Sequence, residues 1–259
     1  QGQYQIGDIF LGTVENVLPG IDAAFINIGE SAKNGFIHVS DLGPLRLKKG
    51  TFGITELLEP QQKVLVQVIK EPTGSKGPRL TGSISIPGKY LILQPYGQGV
   101  NISRKINTET ERSRLKALGV LIKPPSTGLL FRTEAEKIKE ELLIEDLEHL
   151  IQQWENVLKV SEGSNPPNLV KRDDDFSLKI LRDQIKESTK SIIIDNKFSV
   201  SRAKDFLINY ESAINIEFHD NSLNQHIFEK YEIKKTIQKA LQPRVDLPSG
   251  GYIIIEPTE

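Results

Sequence analysis

The sequence predicts an α+β protein of several domains, with an all-β part first and an alternating α/β part last. Three observations carry this. Short runs rich in β-branched and aromatic residues, broken by Gly, Pro, Asn and Asp, fill the first 86 of 259 residues. A helix-period pattern begins at Glu134. Beyond residue 170 helix and strand patterns alternate.

In order, the runs 8–18, 23–29, 34–40, 63–71 and 79–86 read as five strands. In 63–71, Val64, Val66 and Val68 share one face, and Leu65, Gln67 and Ile69 share the other. Five short strands in about 80 residues predict a small Greek-key barrel of the OB type. The segment 41–62 is long for a plain connection and is expected to carry a helical turn. Two more strands, 89–95 and 99–106, precede a helix over 108–120, with Thr108 as N-cap and Glu111 completing a capping box. Residues 129–133 read as a buried strand. The helix from Glu134 places Leu147, Leu150, Ile151, Trp154 and Leu158 on one face. Its carboxylates Glu140, Glu141, Glu145, Asp146 and Glu148 are expected in solvent. The loop 161–168 reads as a boundary. Helices over 176–187, 199–212 and 223–241 then alternate with strands over 191–195 and 214–219, and a hairpin over 244–256 turns at Pro-Ser-Gly-Gly.

Composition is that of a globular protein, 37% hydrophobic and 26% charged. There is no cysteine, which excludes disulfides and Cys-based zinc sites. No apolar run approaches the ~20 residues of a membrane helix. The net charge of −1 hides a split: residues 1–133 carry 16 basic and 10 acidic side chains, and residues 134–259 carry 17 and 24. The first half therefore suits an anionic partner.

The candidate binding residues begin with Phe25 and Phe36. In 23–29, Ala24, Ile26 and Ile28 make the better core face, which turns Phe25 outward. In 35–40, Phe36 goes with His38 and away from Ile37 and Val39. Exposed rings on an OB barrel stack single-stranded bases, at ~1–3 kcal/mol each. Lys76, in the Gly-bracketed loop 72–78, would meet the phosphates. The alternative is that both rings fill the core. A second cluster joins Arg104 with Arg132 and Thr133: a guanidinium fork beside a hydroxyl suits a terminal phosphate. Pairing of Arg132 with Glu134 or Glu136 fits the spacing equally well. No P-loop, H-E-x-x-H or G-x-S-x-G motif is present. The run Asp173–Asp175 reads as a helix start with favourable charge, and Asp195, at a strand end, lacks an evident second metal ligand.

The segments 7–42, 76–95, 102–106, 128–133 and 247–259, in this order, resemble the amino-terminal half of the RNase E/G endoribonucleases, in their cyanobacterial or plastid branch. The resemblance implies an S1-type OB domain over 1–86, a 5′-sensor region over 87–170, a partial RNase H-like subdomain over 171–243 and the start of a DNase I-like subdomain over 244–259. It implies RNA stacking on Phe25 and Phe36 with Lys76, and a 5′-monophosphate pocket of Arg132 and Thr133 supported by Arg104 and the backbone near Ile92. It also implies single-stranded RNA as the partner in RNA processing and mRNA decay, and magnesium in the full-length enzyme but none in this chain, which ends before the family's metal-binding aspartates. Homo-oligomers, degradosome-type protein partners and a cytoplasmic or stromal location follow from the same resemblance. A plain OB-fold RNA-binding module without end sensing is the alternative.

Overall fold

The structure, a computed structural model, describes residues 4–29, 33–45, 53–74, 76–174, 176–185, 188–207, 214–222 and 225–257. The chain forms two compact units, Gln1–Asp174 and Asp175–Glu259.

The first unit opens with β1 (Ile9–Leu18), β2 (Ala23–Asn27), β3 (Gly35–His38), β4 (Lys63–Lys70) and β5 (Arg79–Thr81). The strand order is β1-β2-β3-β5-β4, and β4 pairs back onto β1, which closes a five-stranded barrel consistent with the OB type. Only β3 and β5 run parallel. Closure depends on the length of β1. Its residues 9–13 pair with β4, and residues 13–18 pair with β2. A register shift between Val14 and Asn16 bends the strand from one neighbour toward the other. The β-branched runs fill the interior: Val14, Ile26, Ile37, Val64, Val66, Val68 and Leu80 are all buried. The expected helical turn is α1 (Ile54–Leu57), whose Ile54 and Leu57 join this core.

The run 79–86 is not one strand. After β5 the Gly82 N–H donates to the Asp41 carbonyl at 2.8 Å, and the chain turns off the barrel. A second sheet follows: β6 (Ile86–Pro87), β7 (Leu91–Gln94), β8 (Val100–Ile102) and β9 (Gly128–Phe131), in the order β6-β7-β9-β8. The buried amide of Gln67 ties the sheets together. It donates to the carbonyls of Gly7 and Ser85 and accepts the Ser85 N–H, all within 3.0 Å. The parallel strands β8 and β9 are joined through α2 (Glu109–Ile122). Thr108 makes no side-chain cap, and Glu111 is turned to Arg114 at 2.8 Å and to the Lys137 N–H, so no capping box forms. The long helix α3 (Glu140–Glu162) starts later than expected, after a 3-10 turn at Thr133–Ala135. Its core face holds Leu143, Leu147, Leu150 and Val157, with Leu158 only part-buried. These pack with Leu91, Leu93, Leu129 and Phe131 of the sheet.

Sequence patterning missed β10 (Asn168–Lys171), which pairs antiparallel with β1. Beyond it, Arg172 donates to the buried Asp8 carboxylate at 2.8 Å, and Asp173 N–H donates to it at 2.9 Å. The expected boundary at 161–168 therefore leads into a connection back to the barrel that includes Asp173, and a helix then starts at Phe176, directly after the aspartate run as expected.

The second unit contains α4 (Phe176–Gln184), β11 (Ser191–Ile194), α5 (Lys197–Leu207), β12 (Asn215–Phe218), α6 (Ile227–Lys230), α7 (Ile233–Ala240), β13 (Arg244–Asp246) and β14 (Tyr252–Ile254). β11 and β12 pair in parallel. Leu178, Leu181, Ile185 and Ala203 form its small core with Ile192, Ile194 and Ile216. The single helix expected over 223–241 is broken at Glu232, which takes a φ of 56°. β13 and β14 form the expected antiparallel hairpin. The ends of the helices expected over 176–187, 199–212 and 223–241 fall partly outside the described residues. No described helix is long and apolar enough to cross a membrane.

Candidate functional site

The barrel's outer face answers the question of the two rings. Phe25 and Phe36 are direct cross-strand partners in the β2–β3 pair. Their neighbours Ala24, Ile26 and Ile37 are fully buried, so the pleat sends both rings outward, where they are part-buried. The rings meet edge-to-face with centroids 6.1 Å apart. Beside them lies a cleft of about 750 Å³, lined also by Lys33, Lys70, Lys76 and Arg79.

Lys76 reaches that cleft because of its turn. The N–H and carbonyl of Lys76 exchange hydrogen bonds with Thr73 at 2.9 and 3.1 Å. The turn is fastened to the β2–β3 connection by the Lys33 ammonium, which donates to the Gly74 carbonyl. Gly77 permits this closeness, since a Cβ there would stand 1.9 Å from the Asn34 carbonyl oxygen. Arg79 escaped sequence reasoning. It stands opposite Phe36 in the parallel β3–β5 pair, and its Nε and Nη2 both donate to Asp41, at 3.1 and 2.8 Å. The signal that finds it is register, which the sequence does not carry. His38 lies on the same strand face, with Nδ1 bound to Ser40 at 2.8 Å, so it caps the turn that follows β3.

The second cluster gathers where β9 ends. Arg132 leaves the strand, and its backbone N–H donates to the Tyr90 carbonyl at 2.8 Å. Its Nη1 donates to the carbonyls of Gly88 and Lys89, at 2.7 and 3.2 Å. Its Nε lies 3.5 Å from the Glu134 carboxylate. The guanidinium is thus seated on a backbone turn, with Glu134 as a longer contact. The Thr133 hydroxyl bonds the Ser103 hydroxyl at 2.8 Å, which brings Thr133 to the turn that carries the exposed Arg104. Arg112 holds that turn through the carbonyls of Ser103 and Ile106. Ile92 sits one strand away, paired with Leu130.

Asp146 of α3 is not in solvent with its neighbours. It accepts the backbone N–H groups of Lys89, Tyr90 and Leu91 at 2.9–3.0 Å. Burial pushes its carboxyl above the ordinary aspartate range, against the pull of those three N–H groups and of His149.

For a metal the residues present do not fit. Among the described residues, no three His, Asp or Glu side chains converge. Asp195 accepts from Asn221 at 2.9 Å, and Asp8 is occupied by Arg172.

Paired rings with lysines on the outside of a closed five-stranded barrel suit a single-stranded nucleic acid. The sequence profile of the Ribonuclease E/G family matches residues 85–259. A Ribonuclease E of Synechocystis sp. is 57% identical, over 100% of this chain and 39% of that protein. A Ribonuclease E/G-like protein of Porphyra purpurea is 43% identical, over 99% of this chain and 51% of that protein. A Ribonuclease G of Haemophilus influenzae is 35% identical, over 98% of this chain and 53% of that protein. The chain belongs to the Ribonuclease E/G family, and it spans from 39% to 53% of the length of these relatives.

Proposed function

We propose that this chain binds single-stranded RNA across the barrel cleft and engages a 5′-monophosphate at Arg132 and Thr133, as the recognition part of an RNase E/G-type endoribonuclease in RNA processing and mRNA decay. The observation that carries this reading is the outward ring pair, Phe25 and Phe36, flanked by Lys76 in a chain of this family. Bases would stack on the rings, and the cleft's lysines would follow the phosphates. In this reading the phosphate is held at the corner by the Arg132 guanidinium, the Thr133 hydroxyl and the exposed Arg104. The backbone near Ile92 completes that pocket in this reading. In the same reading, 1–86 is an S1-type domain, 87–170 the sensor, 171–243 an RNase H-like part and 244–259 the start of a DNase I-like part.

The test is fluorescence anisotropy with one 3′-labelled single strand carrying either a 5′-monophosphate or a 5′-hydroxyl. Binding of both, tighter for the monophosphate, supports the proposal. Equal binding of both ends reduces the chain to a plain RNA-binding module, and no binding removes the reading.

A further inference from the structure

The turn between β6 and β7 is gripped from two sides. On one side, the Arg132 guanidinium donates to the carbonyls of Gly88 and Lys89. On the other, the Asp146 carboxylate takes the next three N–H groups: Oδ1 accepts from Lys89, and Oδ2 accepts from Tyr90 and Leu91. The peptide groups between them are shared, so the carboxylate fixes where the carbonyls point. The carbonyls in turn fix the plane of the guanidinium. Asp146 lies 14 residues beyond Arg132 on a different element, and its helix is anchored by Leu143, Leu147 and Leu150 in the core. The anchor is therefore rigid where the turn alone would not be. Gly88 fits the same purpose, since a Cβ there would stand 2.6–2.9 Å from the Asp146 carboxylate atoms.

We propose that Asp146 is a positioning residue for terminal-phosphate recognition: by locking the Gly88–Leu91 turn it holds the Arg132 guanidinium, through Nη1, at the corner beside Thr133. This rests on the reading of Arg132 and Thr133 given above. Asp146 touches no ligand itself. Its partners explain why an amide cannot replace it. An asparagine offers one acceptor oxygen, and its NH2 group would face either Lys89 N–H or the Tyr90 and Leu91 N–H groups, donor against donor. The turn would then shift, and the guanidinium with it.

The experiment measures the ratio of affinities for 5′-monophosphate and 5′-hydroxyl RNA, by anisotropy, in the whole chain. Asp146→Asn is expected to lower the ratio roughly tenfold, the scale of a charged hydrogen bond lost, while binding of the 5′-hydroxyl strand stays unchanged. Val157→Ala, which opens a cavity in the same helix's core face away from the turn, is the control and should keep the wild-type ratio. Gly88→Ala displaces the carboxylate without removing its charge and should also lower the ratio. It decides the matter should Asp146→Asn fail to fold. A folded Asp146→Asn with the wild-type ratio overturns the proposal and leaves the sensor reading standing. An equal fall in Val157→Ala also overturns it, because the effect is then one of general stability. A wild-type chain that binds both ends equally overturns the sensor reading and this inference together.

Discussion

The barrel cleft and the Arg132 corner differ in how their side chains are placed. At the cleft, two strand residues face outward because the pleat alternates, and their partners across the strand share that fate. At the corner, Arg132 and Thr133 lie just past the end of a strand and take their positions from backbone carbonyls, a serine hydroxyl and a distant aspartate. A site made by strand pairing is held by the whole sheet. One made at a strand end depends on each hydrogen bond. In the proposed function the first would serve tolerant stacking of any base, and the second recognition of one chemical end.

The largest effects are expected at the rings. Phe36→Ala should weaken binding of every single strand by ~1–3 kcal/mol whatever its 5′ end. Because the ring is only part-buried, the same variant should cost less stability than truncating a core phenylalanine. A ring that instead filled core would cost ~3–5 kcal/mol of stability, readable by urea unfolding. Arg132→Ala should do the reverse to binding, lowering the monophosphate preference roughly tenfold with little effect on a 5′-hydroxyl strand.

The turn that carries Lys76 sharpens the cleft side. Lys76→Ala should lower the slope of log affinity against log salt by about 0.7, one phosphate contact on a single strand. Gly77→Ala should do at least as much, since its Cβ collides with the Asn34 carbonyl and lifts the turn away. An unchanged slope in both would place Lys76 outside the bound strand.

The smallest effect is on pH. Arg114 holds Glu111 below its ordinary range, with the Lys137 N–H adding to this and burial opposing it. Its contribution to stability is present above the unfolded pKa and is lost as pH falls through the lower folded value. Asp146 runs the other way. Its folded pKa is raised by burial, so its contribution grows as pH falls through that raised value. Urea unfolding across pH should show wild type losing its advantage over Glu111→Gln in acid. The stability of wild type relative to Asp146→Asn should instead rise as pH falls.

This contrast also explains what could be read from the sequence. The outward turn of Phe25 and Phe36 followed from alternation alone, since Ala24, Ile26 and Ile37 made a better core face. The barrel strands were legible for the same reason. Arg79 was not, because its place beside Phe36 comes from a parallel pairing between strands more than 40 residues apart. Asp146 looked like one more solvated carboxylate on an acidic helix. Only the fold brings the turn at 88–91 beneath it. β10 was missed because four residues after two prolines read as loop until β1 offers them an edge. Local period marks faces, and it does not mark which distant backbone groups await a partner.

The most direct test of the central claim, that gripping the strand and sensing its end are separable, is to titrate the two differently ended RNAs against Phe36→Ala and Arg132→Ala side by side. Phe36→Ala is expected to weaken both RNAs by the same factor, and Arg132→Ala to erase only the gap between them. Equal loss on both RNAs in Arg132→Ala, or a gap that vanishes in Phe36→Ala, would contradict that claim.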